Sequence, residues 1–312
     1  MATAFLFPGQ GSQSLGMGYQ LYEQHEEARS RFETVNSVLD VDLIALMFGL
    51  ESTLSDPEER LKQTEITQPA LYAHSLAAMA VLDDEGVRPD MAAGHSLGEY
   101  SALAAAGALS FEEGLRVVRR RGELMAEAGE RRPGAMAAVL GADINGVESV
   151  CEEVSAEEEG VVQPANYNAP DQIVISGDVE AVERATGAIE GRAVPLSVSG
   201  AFHSPLMEYA REGLAEVLEA VTIRPSHCPV YPNVTAEPTT DPDEIRRCLM
   251  EQLLSPVRWA PTLRHMQENG ATRYVEVGPG QVLQGLVRRT LGKNAETLGA
   301  GTPAEIERLV EA

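Results

Sequence analysis

Apolar residues run together in "TAFLF", Thr3 to Phe7, and stop at "PGQGSQ", the pattern of a strand that ends in a glycine-rich turn with uncovered backbone amides. Helical spacing follows from Gln20 to Val38 and again from Pro69 to Asp83, where Pro69 suits a first helical turn. In "DMAAGHSLGEYSALAAAGALS" a short apolar run meets Gly94 and then Ser96. Strong helix formers come next and stop at Gly107. Between Gly134 and Val198 the period changes, reading as strand "AMAAVLG", helix "VESVCEEVSAEEE", strand "VVQPANYN", strand "QIVISGD", helix "VEAVERATGAIEG" and strand "RAVPLSV". That β-α-β-β-α-β order is ferredoxin-like. A last strand, "RYVEVG", leads through a "PG" turn into a helix from Gln281 to Leu291.

The pattern predicts an α/β protein in which a small ferredoxin-like domain, residues 133–198, interrupts a larger one formed by 1–132 and 199–312. A chain of 312 residues with 44% hydrophobic content can bury a core of that size. No stretch reads as a membrane span or a secretory signal, so a cytoplasmic protein is expected. Cys151, Cys228 and Cys248 lack CxxC spacing and read as ordinary thiols rather than a disulfide framework or a zinc site. The formal charge of −24 disfavours nucleic acid as a partner, because phosphates would be repelled over most of the surface. Lys62 and Lys293 are the only lysines, which fits either a high-salt cytoplasm or plain compositional bias.

Candidate chemistry centres on Ser96. Glycines on either side of a serine at a strand-to-helix turn allow a strained backbone and place its oxygen at a helix N-terminus, as a nucleophile needs. The alternative is a serine that merely caps a helix. A serine hydroxyl needs a base, and His203 in "SGAFHSPLM" is the best-placed histidine. His95 adjoins the serine but should point elsewhere, His25 and His74 sit in polar helix patterns, and His227 and His265 lack polar company. In "FEEGLRVVRRRGELMAEA", at about 100° per residue, Arg121 falls within the arc of Leu115, Val117, Val118, Leu124 and Met125. Arg116, Arg119 and Arg120 fall on the opposite side. A buried arginine needs an anion, either a ligand or an internal carboxylate.

"FPGQGSQ", "GHSLGEYSALAAAGALS", "RRRGELM", "GAMAAVLG", "SGAFHSPLM", "SPVRW" and "EVGPG" occur in this order across nearly the whole chain. Together they resemble the malonyl-CoA:acyl carrier protein transacylases of fatty acid synthesis. The resemblance implies an α/β-hydrolase-like core with the ferredoxin-like insertion. It also implies Ser96 as nucleophile, His203 as base, Arg121 as ligand of the malonyl carboxylate, and the amides of Gln10 and Leu97 as oxyanion hole. A backbone carbonyl of Gln252 would orient the base, and Phe202 stands where related enzymes favour malonyl over methylmalonyl. The implied reaction is ping-pong transfer of malonyl from malonyl-CoA to the pantetheine thiol of acyl carrier protein, by a monomer without metal or redox cofactor. Because that carrier is acidic, a basic patch is expected, with Arg116, Arg119, Arg120, Arg288 and Arg289 as candidates. Competing readings are a malonyl transferase of a polyketide pathway, a serine hydrolase or thioesterase, and an inactive scaffold that docks carrier proteins.

Overall fold

The computed structural model describes residues 2–39, 41–50, 56–157, 160–198 and 200–312. Positions 158 and 159 at the end of one expected helix, and position 199 at the expected domain boundary, lie outside the described residues. Among the described residues the strands are β1 (Ala2–Phe7), β2 (Met91–Gly94), β3 (Ala135–Leu140), β4 (Val162–Ala169), β5 (Gln172–Gly177), β6 (Arg192–Pro195), β7 (Val230–Tyr231), β8 (Ala271–Glu276) and β9 (Glu296–Gly299).

A parallel sheet in the order β7-β2-β1-β8-β9 forms the centre of the larger part. Its middle strand is apolar at successive positions because both faces are covered. Phe5 and Phe7 pack into one apolar cluster with the helices Thr64–Asp84 and Phe111–Arg131. Ala4 and Leu6, pointing the other way, pack against Trp259, Leu263, Leu283 and Val287 of the helices Trp259–Glu268 and Val282–Leu291. The second sheet is antiparallel, in the order β4-β5-β3-β6, and carries its own apolar cluster with the helices Ile144–Glu157 and Val179–Ala188. The two parts are stitched together. The Tyr167 amide donates to the Val257 carbonyl at 2.9 Å, and the Val257 amide donates to the Ala165 carbonyl at 2.8 Å.

Two helices differ from the sequence expectation. The one expected from Gln20 to Val38 is two, Tyr19–Gln24 and Glu26–Leu39, because His25 adopts an extended conformation between them. The one expected to start at Pro69 starts at Thr64, so the proline lies inside it. A proline there cannot bond the carbonyl four residues back. That carbonyl, of Glu65, instead accepts from Arg119 Nη1 at 2.9 Å. No helix among the described residues is long and apolar enough to cross a membrane.

Candidate active site

Ser96 follows β2 at the carboxyl end of the parallel sheet, with φ at 50°. Non-glycine residues in this left-handed region are strained, and the glycines around it make the turn possible. A Cβ on Gly94 would lie 1.9 Å from the carbonyl carbon of Gly98, and one on Gly98 would lie 2.0 Å from the Phe7 carbonyl oxygen. The serine is not a helix cap. The helix Gly98–Ala105 has Leu97 at its cap position with no side-chain hydrogen bond.

The Ser96 hydroxyl instead reaches His203 Nε2 at 2.8 Å. On the far side of the ring, Nδ1 lies 2.9 Å from the Gln252 carbonyl and 3.1 Å from the Ser255 carbonyl. Carbonyls only accept, so Nδ1 carries the proton, and Nε2 is left to accept from Ser96. His203 is 3% exposed and, like Ser96, has a positive φ, 57°. Burial first, and the Arg121 charge second, push its pKa down to about 3, against the opposing pull of the Gln252 and Ser255 carbonyls. The ring is therefore neutral and able to take a proton over the physiological range.

Arg121 is 1% exposed, in the apolar arc where the helical spacing puts it. Its acceptors are all neutral. Nη1 donates to Gln68 Oε1 at 2.8 Å, and Nη2 donates to Gln252 Oε1 at 2.9 Å and to Ser96 Oγ at 3.1 Å. Nε has no partner among the described residues, and the guanidinium lies 5.5 Å from the centre of the Tyr100 ring. An internal salt bridge, the bland alternative for a buried arginine, is thus not what holds it.

Behind the serine lies a network that sequence reasoning missed. Asn233 Oδ1 accepts from the Ser96 amide at 2.7 Å, and its Nδ2 donates to the Gly94 carbonyl at 2.7 Å. Glu99 is 1% exposed and accepts from the Asn233 amide at 2.9 Å and from Gln252 Nε2 at 2.8 Å. Burial pushes its pKa up to about 7, opposed by those bonds and by Arg121. Gln252 Nε2 also reaches the Ser96 carbonyl, at 3.0 Å. Gln163, on β4, donates to the His203 carbonyl at 2.9 Å, so the smaller sheet helps hold that histidine.

The remaining predicted residues fall around this centre. Gly9 presses on the serine turn, since a Cβ there would lie 2.4 Å from the His95 carbonyl oxygen, and this brings the Gln10 segment beside it. Leu97 directly follows the serine. Phe202 is buried in the large apolar cluster and directly precedes His203. A groove of about 550 Å³ is lined by Gln10, Gly11, Leu61, Lys62, Leu196 and Val198, among others; it starts beside the site and does not include Ser96 or His203.

His95 does point away, its Nε2 2.7 Å from Asn168 Oδ1 and its ring edge-on to Trp259. His74 is not in a polar setting. It is 2% exposed, with Nε2 2.8 Å from the Gly301 carbonyl, and burial lowers its pKa to about 4. His265 does have polar company, the Ala236 carbonyl at 2.8 Å and Glu237 at 3.3 Å. Of the arginines proposed as a basic patch, Arg116 is exposed, but Arg119 and Arg120 pair with Glu123 and Glu127 of their own helix and Arg289 pairs with Asp171. Arg288 donates to Thr297. The local charge there is largely offset rather than basic. Among the described residues no cluster of three or more His, Cys, Asp or Glu side chains is arranged to hold a metal ion. The three cysteines are buried free thiols.

Fold and site define a class: α/β proteins that carry a hydrogen-bonded serine–histidine pair on a tight strand–turn–helix elbow. The family model described as "Acyl transferase domain" matches residues 4–305. A malonyl CoA-acyl carrier protein transacylase of Bacillus subtilis (strain 168) is 45% identical over 312 residues, covering 99% of this chain and 96% of that protein. The structure of a malonyl CoA-acyl carrier protein transacylase from Coxiella burnetii superposes with a TM-score of 0.92 at 39% identity, covering 100% of this chain and 97% of that one. A malonyl-transacylase in complex with its type II PKS acyl-carrier protein superposes with a TM-score of 0.91 at 39% identity, covering 100% and 99%. The chain belongs to the malonyl CoA-acyl carrier protein transacylase family.

Proposed function

We propose that this protein moves the malonyl group from malonyl-CoA to the pantetheine thiol of acyl carrier protein, supplying fatty acid synthesis, through a malonyl ester on Ser96. The observation that carries this reading is a guanidinium held by neutral acceptors 3.1 Å from the hydroxyl that is bonded to His203. A nucleophile beside an unneutralised buried cation suits an acyl group that ends in a carboxylate.

His203 Nε2 takes the Ser96 proton as Oγ bonds to the thioester carbon. The tetrahedral oxyanion is received by the amides of Gln10 and Leu97. The C–S bond then breaks, and the proton passes from His203 to the CoA sulfur. In the second half-reaction the carrier's thiol gives its proton to His203 and attacks the ester, and the proton returns to Ser96. The Gln252 and Ser255 carbonyls keep Nδ1–H oriented throughout, and Phe202 limits bulk next to the base. The groove at Gln10 suits the pantetheine arm. No metal or redox cofactor enters these steps.

In the same reading, the parallel sheet with its helices is an α/β-hydrolase-like core of residues 1–132 and 199–312, and the antiparallel order of residues 133–198 supports a ferredoxin-like insertion. We take the enzyme to be a cytoplasmic monomer. A serine hydrolase fits less well, because such enzymes orient the histidine with a carboxylate, whereas His203 meets two carbonyls. Service to a polyketide pathway is the second reading, favoured by the likeness to the malonyl-transacylase held by a type II PKS carrier.

Intact mass after mixing with malonyl-CoA tests the proposal. A malonyl adduct that Ser96→Ala abolishes is the expected result. His203→Ala should lose nearly as much rate, on the order of 10⁴-fold or more, with the double variant barely worse than either single one. An adduct that persists in Ser96→Ala overturns the assignment. Transfer compared between fatty acid and polyketide carriers separates the two pathway readings.

A further inference from the structure

Ser96 Oγ has one proton and two lone pairs. The proton points to His203 Nε2 at 2.8 Å, and one lone pair accepts from Arg121 Nη2 at 3.1 Å. A hydrogen bond given to an attacking oxygen weakens as that oxygen becomes an ester oxygen, which is a poorer acceptor. Such a bond, particularly one from a cation, therefore stabilises the resting serine more than the transition state and slows attack.

We propose that Arg121 restrains Ser96 in the resting enzyme, and that the carboxylate of the arriving malonyl group lifts the restraint by drawing the guanidinium onto itself. The proposal rests on the reading of Ser96 as nucleophile and of that carboxylate as Arg121's ligand. It goes further in making the substrate's anion a condition for a fully reactive serine, rather than only a handle for binding.

Three features of the site support the exchange. Gln68 Oε1 and Gln252 Oε1 hold the guanidinium through neutral oxygens, so no carboxylate is bonded to it. The carboxylate of Glu99 is kept one amide away, bonded to Gln252 Nε2 and to the Asn233 amide instead of to Arg121. Arg121 Nε is buried without a partner among the described residues, leaving an N–H to meet a second carboxylate oxygen. A bond from guanidinium to carboxylate is stronger than one from guanidinium to a hydroxyl, so the exchange runs toward the anion. Discrimination against acyl groups that lack a carboxylate then appears in the limiting rate of acylation, and not in affinity alone.

Acetyl-CoA and formate together carry the pieces of a malonyl thioester, with the carboxylate supplied separately. The test is single-turnover acetylation at saturating acetyl-CoA, read by intact mass, with sodium formate or with sodium chloride at equal ionic strength. Formate should raise the wild-type limiting rate saturably, by roughly tenfold, as expected for loss of one charge-assisted hydrogen bond. Arg121→Ala should acetylate faster than wild type without formate and should not respond to it. Gln68→Glu gives Arg121 an internal carboxylate and should speed acetyl loading while slowing malonyl loading. A formate effect that is absent or inhibitory in wild type overturns the restraint, as does a fall of both loading rates in Gln68→Glu. A wild-type protein that forms no malonyl adduct at all overturns the underlying functional reading instead.

Discussion

His203 is shaped by its surroundings more than by its own chemistry. An exposed histidine titrates near 6.5, so a base of that kind loses half its activity there. Burial and the Arg121 charge hold this one neutral down to about 3. Malonyl loading is therefore expected to lack the acid limb of an ordinary histidine between pH 8 and pH 5, leaving Glu99, raised to about 7, as the buried group of the site that titrates in that window. Arg121→Ala removes the second cause but not the first, so the His203 pKa should rise while staying below 6.5. A rapid-quench profile of both proteins checks this, and a limb near 6.5 in wild type contradicts it. Ser96, His203 and Arg121 are legible as single residues because glycine spacing, loop position and helical phase each single one out. Gln68, Glu99 and Asn233 are not, because a polar residue in an apolar run looks the same whether it faces a cleft, a cap or solvent.

The serine turn is an element whose parts cannot be exchanged freely. At Gly98 an added methyl meets the backbone oxygen of Phe7 at 2.0 Å, and a backbone cannot rotate aside as a side chain can. Gly98→Ala should thus separate β1 from the turn, lose malonyl loading and fold poorly. Gly285, inside the helix Val282–Leu291, meets nothing within 4 Å, so Gly285→Ala should instead stabilise by up to about 1 kcal/mol. Asn233→Ala leaves the Ser96 amide and the Gly94 carbonyl without their partner, and should cost about 1–3 kcal/mol with slower loading. Chemical denaturation of the three variants with a loading assay reads all of these. At this scale the sequence is accurate where breakers are unambiguous. It misplaces the helix start at Pro69 because Arg119, 54 residues along the chain from Glu65, takes the Glu65 carbonyl that the proline leaves open.

For the molecule as a whole, buried His203, His74 and Glu99 set opposing pH slopes, with His95, lowered by burial, acting in the direction of the first two and Glu276, raised by burial, in the direction of Glu99. The folded-state pKa values of His203 and His74, about 3 and about 4, lie below 6.5, so the unfolded chain binds more protons in between. Their stabilisation is present above about pH 6.5 and is lost as pH falls through the folded values. Glu99 runs the other way. Raised from 4.5 to about 7, it stabilises below 4.5, and its contribution is lost as pH rises through 7. Summing the three, stability should be nearly level from pH 8 to about pH 7, fall on acidification because two histidines outweigh Glu99, and fall most steeply just below 4.5, where Glu99 no longer offsets them. Denaturant titrations at intervals of one pH unit check the shape, and Glu99→Gln should steepen the fall between pH 6.5 and 4.5 by removing the opposing slope.

By itself the sequence determines the β-α-β-β-α-β order between Gly134 and Val198, the buried phase of Arg121 and the serine turn, since each is written in neighbouring residues through periodicity and glycine spacing, whereas β7, β9 and the helices between "SGAFHSPLM" and "RYVEVG" are not read from it. It also carries the motif series that marks the family. Only the tertiary structure decides that His203 meets Ser96 across 107 positions, that carbonyls rather than a carboxylate bond its Nδ1, and that neutral amides rather than an acid hold Arg121. Those outcomes depend on which distant side chains the packed sheet brings within 3 Å or so of one another. Local pattern carries no information about such distances, and the same packing sets the pKa values on which the chemistry depends.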